Sequence, residues 1–267
     1  MKRLYNIINE KRSEEEAIKF ITKFDSCNLR QDILLFYSLL FDPVRYEGLE
    51  EYDGYYCSTM VDRKEMRLER QGEKIVPGDF DIILIPYNAT KVFFERTAVW
   101  EVKIARPHTR KLNKSSKSMG TEQIKGLMED GFPLIGLMHI CMPEPLEDHY
   151  LRIIPFHKMK EDGRSPYPLE FEMVGMDWLP GFAIENQMKR MITTGLPKYI
   201  AMNAFALCIN TDGKAVITTS TEFGGYHSGY FNPYKKLKTV EVIEEHFNKF
   251  LEKRYRKIPV YEKIKSK

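Results

Sequence analysis
Thr97-Ala-Val-Trp-Glu-Val-Lys-Ile104 is apolar almost throughout, and its interruptions Glu101 and Lys103 stand two residues apart. Side chains on a strand alternate between faces, so the carboxylate and the ammonium project from the same one. Just upstream, Pro77 and Gly78 mark a turn, Asp81-Ile-Ile-Leu-Ile85 reads as a buried strand headed by an acid, and Pro86-Tyr-Asn88 turns the chain back. Downstream, a helix is expected over 121–130 with Gly131 as its stop, then a buried strand in Phe132-Pro-Leu-Ile-Gly-Leu-Met-His-Ile140. Strand, strand, helix, strand is the order of an α/β domain.

Asp81 at the start of one strand and Glu101 within the next are placed to meet across adjacent strands, with Lys103 reaching the same cavity. Two carboxylates so disposed suit Mg²⁺ or Mn²⁺. Such an ion lowers the pKa of a bound water and stabilises charge on phosphate oxygens, which is what phosphodiester cleavage requires. An ammonium beside them orients the attacking water or stabilises the transition state. The competing reading is an edge strand whose wet face carries a salt-bridged pair. An acid, any residue and lysine also occur at Asp62-Arg-Lys64 and Asp212-Gly-Lys214, but only Glu101-Val-Lys103 lies inside an apolar strand. Asp79 competes with Asp81 for the first position, and the turn chemistry of Pro77-Gly78 accounts for it as a turn residue.

Pro77-Gly-Asp-Phe-Asp-Ile-Ile-Leu-Ile85 followed by Trp100-Glu-Val-Lys-Ile104 resembles the PD-(D/E)XK, or restriction-endonuclease-like, nuclease superfamily. The resemblance covers about the middle quarter of the chain. It implies a restriction-endonuclease-like core, a central mixed β-sheet flanked by helices, and a metal-dependent nuclease acting on DNA. By the same resemblance Asp81, Glu101 and the carbonyl of Val102 hold the metal, and Lys103 assists the water. Gln123, opening the helix after the Glu-x-Lys strand, matches a glutamine that organises the site in the RecB-like and lambda-exonuclease-like branches. Those branches carry an aromatic residue four positions on, where this chain has Leu127. Many members add an acid from a helix before the first strand; Glu47, Glu50 and Asp32 are the candidates, with Glu47 preferred.

The net charge of +3 is too small to mark a nucleic-acid binder, so the distribution of charge has to decide. Arg106, Arg110, Lys111, Lys114 and Lys117 follow the Glu-x-Lys strand without an intervening acid and are suited to track a phosphate backbone, a mobile solvated loop being the alternative. His108 in that loop reads as a surface residue. Lys253, Arg254, Arg256 and Lys257 form a second basic zone. Phe223-Gly-Gly-Tyr-His-Ser-Gly-Tyr-Phe231 offers aromatics that stack on bases or close a small core. A non-catalytic nucleic-acid-binding or assembly module on the same fold is the rival to a nuclease, although two carboxylates without metal would repel a phosphate polyanion.

Elsewhere, Ser13 and Glu16 form a capping box for a first helix, and a second is expected over 29–40. Strands are expected at 55–60 and at 150–156, the latter joining the sheet, with a connecting region over 162–181. A helix over 182–193, a hairpin of 199–209 and 214–221 through Asp212-Gly213, and a last helix over 240–255 capped by Thr239 complete the chain. This suggests a core over 1–165 and a C-terminal α+β extension over 166–267, serving specificity or oligomerisation, for instance a homodimer. The early charges of MKRLYNIINEKRSEEE and the lack of a long apolar run suggest a cytoplasmic protein that does not enter a membrane. Cys27, Cys57, Cys141 and Cys208 are too scattered for a zinc site or a disulfide framework and read as buried thiols.

Overall fold
The computed structural model describes residues 2–8, 11–23, 52–66, 68, 79–112, 119–158, 169–213, 215–219 and 226–259. In chain order the elements are β1 (Ile7–Ile8), α1 (Glu14–Ile21), β2 (Gly54–Asp62), β3 (Asp79–Tyr87), β4 (Ala98–Ala105), α2 (Thr121–Asp130), β5 (Leu134–Cys141), β6 (Arg152–His157) and β7 (Phe171–Met176). They continue with α3 (Leu179–Ile192), β8 (Ala201–Asn210), β9 (Ala215–Thr219), β10 (Tyr226–His227), α4 (Leu237–Arg254) and β11 (Arg256–Pro259). The expected second helix over 29–40 lies outside the described residues.

One large mixed sheet runs in the order β1-β8-β5-β4-β3-β2-β11, with β9 and β10 also pairing β8. β2, β3 and β4 form an antiparallel meander, whereas β4–β5 and β5–β8 are parallel. Parallel neighbours need crossovers, which α2 and α3 supply. Strands covered on both faces read as continuous apolar runs, and β3, β4, β5 and β8 do so. Trp100, Val102, Ile82 and Leu84 face one core with Ala17, Ile18 and Ile21 of α1. Val99, Ile83 and Ile135 face the other, with Ile124 and Leu127 of α2, Ile184 and Met188 of α3, and Ile243 and Phe247 of α4. The fold is therefore α/β, a mixed sheet flanked by helices.

The segment beyond 165 is continuous with this sheet. β8 is a central strand and β11 an edge strand beside β2, so the expected C-terminal extension completes the sheet that carries Asp81 and Glu101. Two local expectations are corrected. The strand at Arg152–His157 does not join the large sheet but pairs with Phe171–Met176, inside the expected connecting region, as a separate two-stranded sheet. Thr239 does not cap the last helix, which starts at Leu237; its buried hydroxyl instead donates to the carbonyl of Asp130 and ties α4 to the end of α2. The capping box of Ser13 and Glu16 and the left-handed Gly131 at the end of α2 form as expected.

Trp100 is fully buried and lies opposite Gly136 on the parallel neighbour. A methyl on Gly136 would come within 2.4 Å of the indole ring. The missing side chain thus makes the slot that registers β4 against β5. Gly136→Ala is expected to cost about 1–3 kcal/mol by overpacking, seen as a lowered midpoint in thermal unfolding.

Candidate functional site
The ladder between β3 and β4 runs through Ile82↔Trp100, Ile83↔Val99 and Leu84↔Ala98 and stops there. Asp81, the next residue outward, sends its side chain where the ladder would have continued, and its Oδ2 accepts the Val102 N–H at 2.6 Å. On the other flank, β2 pairs β3 on either side of Asp81, but Met60, at the position facing it, has a φ of 52°. Positive φ is uncommon outside glycine, so the irregularity of both neighbours converges on this residue. Parting the strands frees a backbone N–H, and Asp81 satisfies it.

Glu101 and Lys103 project from β4 on the face covered by α2. The Lys103 ammonium is 2.6 Å from Glu101 Oε1 and 3.5 Å from Glu14 Oε1. Glu14 opens α1, whose apolar face packs on the opposite core, and its side chain reaches Lys103. Asp81 and Glu101 are only 5% and 6% exposed, so the edge strand with a wet face is not what the chain builds. Above them, Gly120 caps α2 in a left-handed conformation. A methyl there would stand 3.4 Å from Cγ of both Glu101 and Lys103, so the start of the helix closes over the pair.

Burial, then the neighbouring Glu101, pushes the Asp81 carboxyl up to about 8, against the pull of the Val102 N–H. Burial likewise raises Glu101, against the opposing pull of Lys103. Burial works to lower the Lys103 ammonium, but Glu101, Glu14 and Asp81 together raise it above its ordinary value. Among the described residues, Glu101 and Glu14 thus pair with this ammonium and the Asp81 carboxyl stands near it. Arg63 also favours the Glu101 carboxylate, but its guanidinium is 2.9 Å from Asp130 and lies over the Phe80 ring. A divalent cation would stabilise the ionised form of Asp81 beside Glu101, which burial otherwise disfavours. Among the described residues no three carboxylate, imidazole or thiol groups converge on one point. Mg²⁺, however, commonly takes one or two carboxylates and fills its remaining positions with water and phosphate oxygens, which Asp81 and Glu101 permit.

The other expected site residues divide. Gln123 is half-buried in the first turn of α2, and Leu127 fills the core beneath that helix, where an aromatic residue was the family pattern. Arg106 donates to the carbonyl of Arg12, fixing the exit of β4 to the start of α1. Arg110 and Lys111 are exposed, beside a tight turn closed between His108 and Lys111, while Lys114 and Lys117 lie outside the described residues. Of the second basic zone, Arg254 pairs with Glu65, and the Lys257 ammonium lies 4.3 Å from the centre of the Tyr87 ring, and both residues are exposed. Phe231 packs against the core as well. Asp79 is the exposed first residue of β3, part of the strand and not of a turn. Glu47, Glu50 and Asp32 lie outside the described residues.

Glu14 is the residue that sequence reading passed over. Its signal was helical spacing: Ala17, Ile18 and Ile21 are the buried residues of α1, and position 14 continues their stripe at i, i+3, i+4 and i+7. Glu15 and Glu16 point away. Cys57, Cys141 and Cys208 are free and buried, and burial raises all three thiols. No described helix is long and apolar enough to cross a membrane. No protein-family model, curated protein or solved structure matches the chain.

Proposed function
We propose that this protein is a metal-dependent nuclease with a restriction-endonuclease-like core, hydrolysing phosphodiester bonds in DNA in the cytoplasm. The observation that carries the reading is the parting of β3 from β4 at Asp81, which brings a buried carboxylate onto the Val102 amide beside Glu101 and Lys103. That arrangement suits the resemblance of Asp81 and Glu101-Val-Lys103 to the nuclease motif, with Asp81, Glu101 and the Val102 carbonyl as ligands of Mg²⁺ or Mn²⁺.

When bound, the ion supplies a water of lowered pKa and positive charge beside the scissile phosphate. The chain's own groups do the rest. Asp81 is held in place by the Val102 N–H and has little rotational freedom to lose on ligation. Lys103, kept cationic by the carboxylates around it, donates hydrogen bonds to the attacking water or a phosphate oxygen. Glu14 shares the ammonium with Glu101, so Lys103 can move toward substrate without leaving a carboxylate partner. Burial keeps bulk water from screening these charges. Exposed Arg110 and Lys111 are suited to the flanking phosphates, each neutralised phosphate adding salt-dependent affinity.

Incubating the chain with supercoiled plasmid, single-stranded DNA and RNA in Mg²⁺, Mn²⁺ or chelator tests the reading. Metal-dependent cutting of DNA is expected. RNA cutting alone would change the substrate, and metal binding without cutting of any substrate would favour a non-catalytic binding module. Glu14→Gln is expected to lower cleavage by about 10–100-fold, as loss of a partner to a site residue commonly does. Glu14 is partly exposed, so its thermal unfolding should change little.

A further inference from the structure
His139 is completely buried in β5, directly opposite Lys103 in the parallel register. A polar ring in the middle of an apolar strand needs partners, and both nitrogens have them. Nε2 is 3.2 Å from the carbonyl of Met119, and Nδ1 is 3.0 Å from the side-chain oxygen Oε1 of the buried Gln187 on α3. The backbone carbonyl of Met119 is fixed and can only accept, whereas the Gln187 amide can present either its oxygen or, turned over, its NH₂, so the tautomer with the proton on Nε2 is the one that satisfies both contacts of a neutral imidazole. Nδ1 is then satisfied when the Gln187 amide turns its NH₂ toward it. Burial lowers the His139 pKa, against the raising pull of its contacts with Gln187 and Met119.

Met119 immediately precedes Gly120, the residue packed on Glu101 and Lys103. Gly120 also accepts the Ile124 N–H at 3.0 Å, the hydrogen bond that starts α2. A methyl on Gly120 would strike Leu137 at 2.8 Å, so the turn has almost no slack on the β5 side. We infer that His139 is a positioning residue: with Gln187 behind it, it clamps the Met119–Gly120 turn so that the start of α2 holds Glu101 and Lys103 in their working arrangement. The same clamp fixes the point where the chain returns after the basic segment. This rests on the proposed nuclease reading for its consequence in catalysis, but not for the clamp itself.

The two imidazole nitrogens can be separated by substitution. Glutamine places its amide nitrogen near the position of Nε2 and can still donate to Met119. Asparagine reaches only the position of Nδ1 and cannot. With folding checked by thermal melts, amide exchange of Ile124 in the metal-free chain is expected to be roughly tenfold faster in His139→Asn, as for loss of one buried hydrogen bond. In His139→Gln it should stay within about twofold of the parent. In cleavage assays kcat should fall about 10–100-fold in His139→Asn, with KM for DNA little changed and His139→Gln largely restored. Gly120→Ala, which leaves His139 in place and crowds the turn off Leu137, should lower kcat similarly. It provides the comparison if the imidazole replacements unfold.

Unchanged Ile124 exchange and kcat in His139→Asn, or equal losses in both imidazole variants, would overturn the clamp and leave His139 as core packing. If the parent cuts no substrate with any metal, the nuclease reading fails, while the exchange comparison still decides the clamp.

Discussion

Asp81→Asn is expected to abolish metal-dependent cleavage, lowering kcat by about 10³-fold or more, as loss of a group that stabilises the transition state commonly does. Asparagine keeps an oxygen that can accept the Val102 N–H, so the parting of β3 and β4 should survive. What disappears is the negative charge. Metal affinity and cleavage should fall together, whereas a purely structural role for Asp81 would leave cleavage per folded molecule unchanged. Quantified cutting of plasmid across a Mg²⁺ series, with circular dichroism to confirm the fold, checks both.

The same substitution should have the opposite sign for stability. Asp81 in the folded, metal-free chain keeps its proton up to about 8, whereas in the unfolded chain it releases it near 3.8. Between those values the folded state binds more protons, so this group makes stability fall as pH rises. Its penalty is absent below the unfolded value and complete above the folded one. The difference sets a ceiling of about 6 kcal/mol. Glu101 and Lys103 share the titration, so the net effect is smaller than this ceiling. In chelator at pH 8.5, Asp81→Asn should therefore melt above the parent by several degrees, about 2–4 °C per kcal/mol retained, and at pH 4 the two should coincide. Saturating Mg²⁺ should reverse the order at pH 8.5 by stabilising the parent alone. A site that costs stability until a cation arrives is the expected signature of charge gathered for function. If Asp81→Asn is destabilising at every pH, the carboxylate is structural.

The longer strands of the large sheet were legible because burial on both faces leaves continuous apolar runs, and a polar interruption such as Glu101 and Lys103 then stands out. The hairpin of β8 and β9 and the crossover helix α2 followed from turn chemistry and helical spacing in the same way. Long-range pairing was not legible. Nothing local to Arg256–Pro259 says that it pairs β2, nor that Arg152–His157 leaves the large sheet for Phe171–Met176. Of the candidate site, Asp81, Glu101 and Lys103 could be singled out from type and spacing, and the fold brings them together. Glu14 was hidden among consecutive glutamates until the buried stripe of α1 singled it out. His139 carried the signal that exposed Glu101, a polar residue within an apolar strand, and its partners Met119 and Gln187 come from elements that only the fold brings together. Arg106 shows the converse, a cation in a basic run whose guanidinium is committed to a backbone carbonyl.

Calorimetric titration of Mn²⁺ or Mg²⁺ into the chelator-treated chain, beside Asp81→Asn and Glu101→Gln, addresses the metal site without requiring that the substrate be known. Saturable binding by the parent, lost or greatly weakened in both variants, is expected if Asp81 and Glu101 hold the ion. No binding by the parent, or equal binding by all three proteins, would contradict a metal site at the parting of β3 and β4.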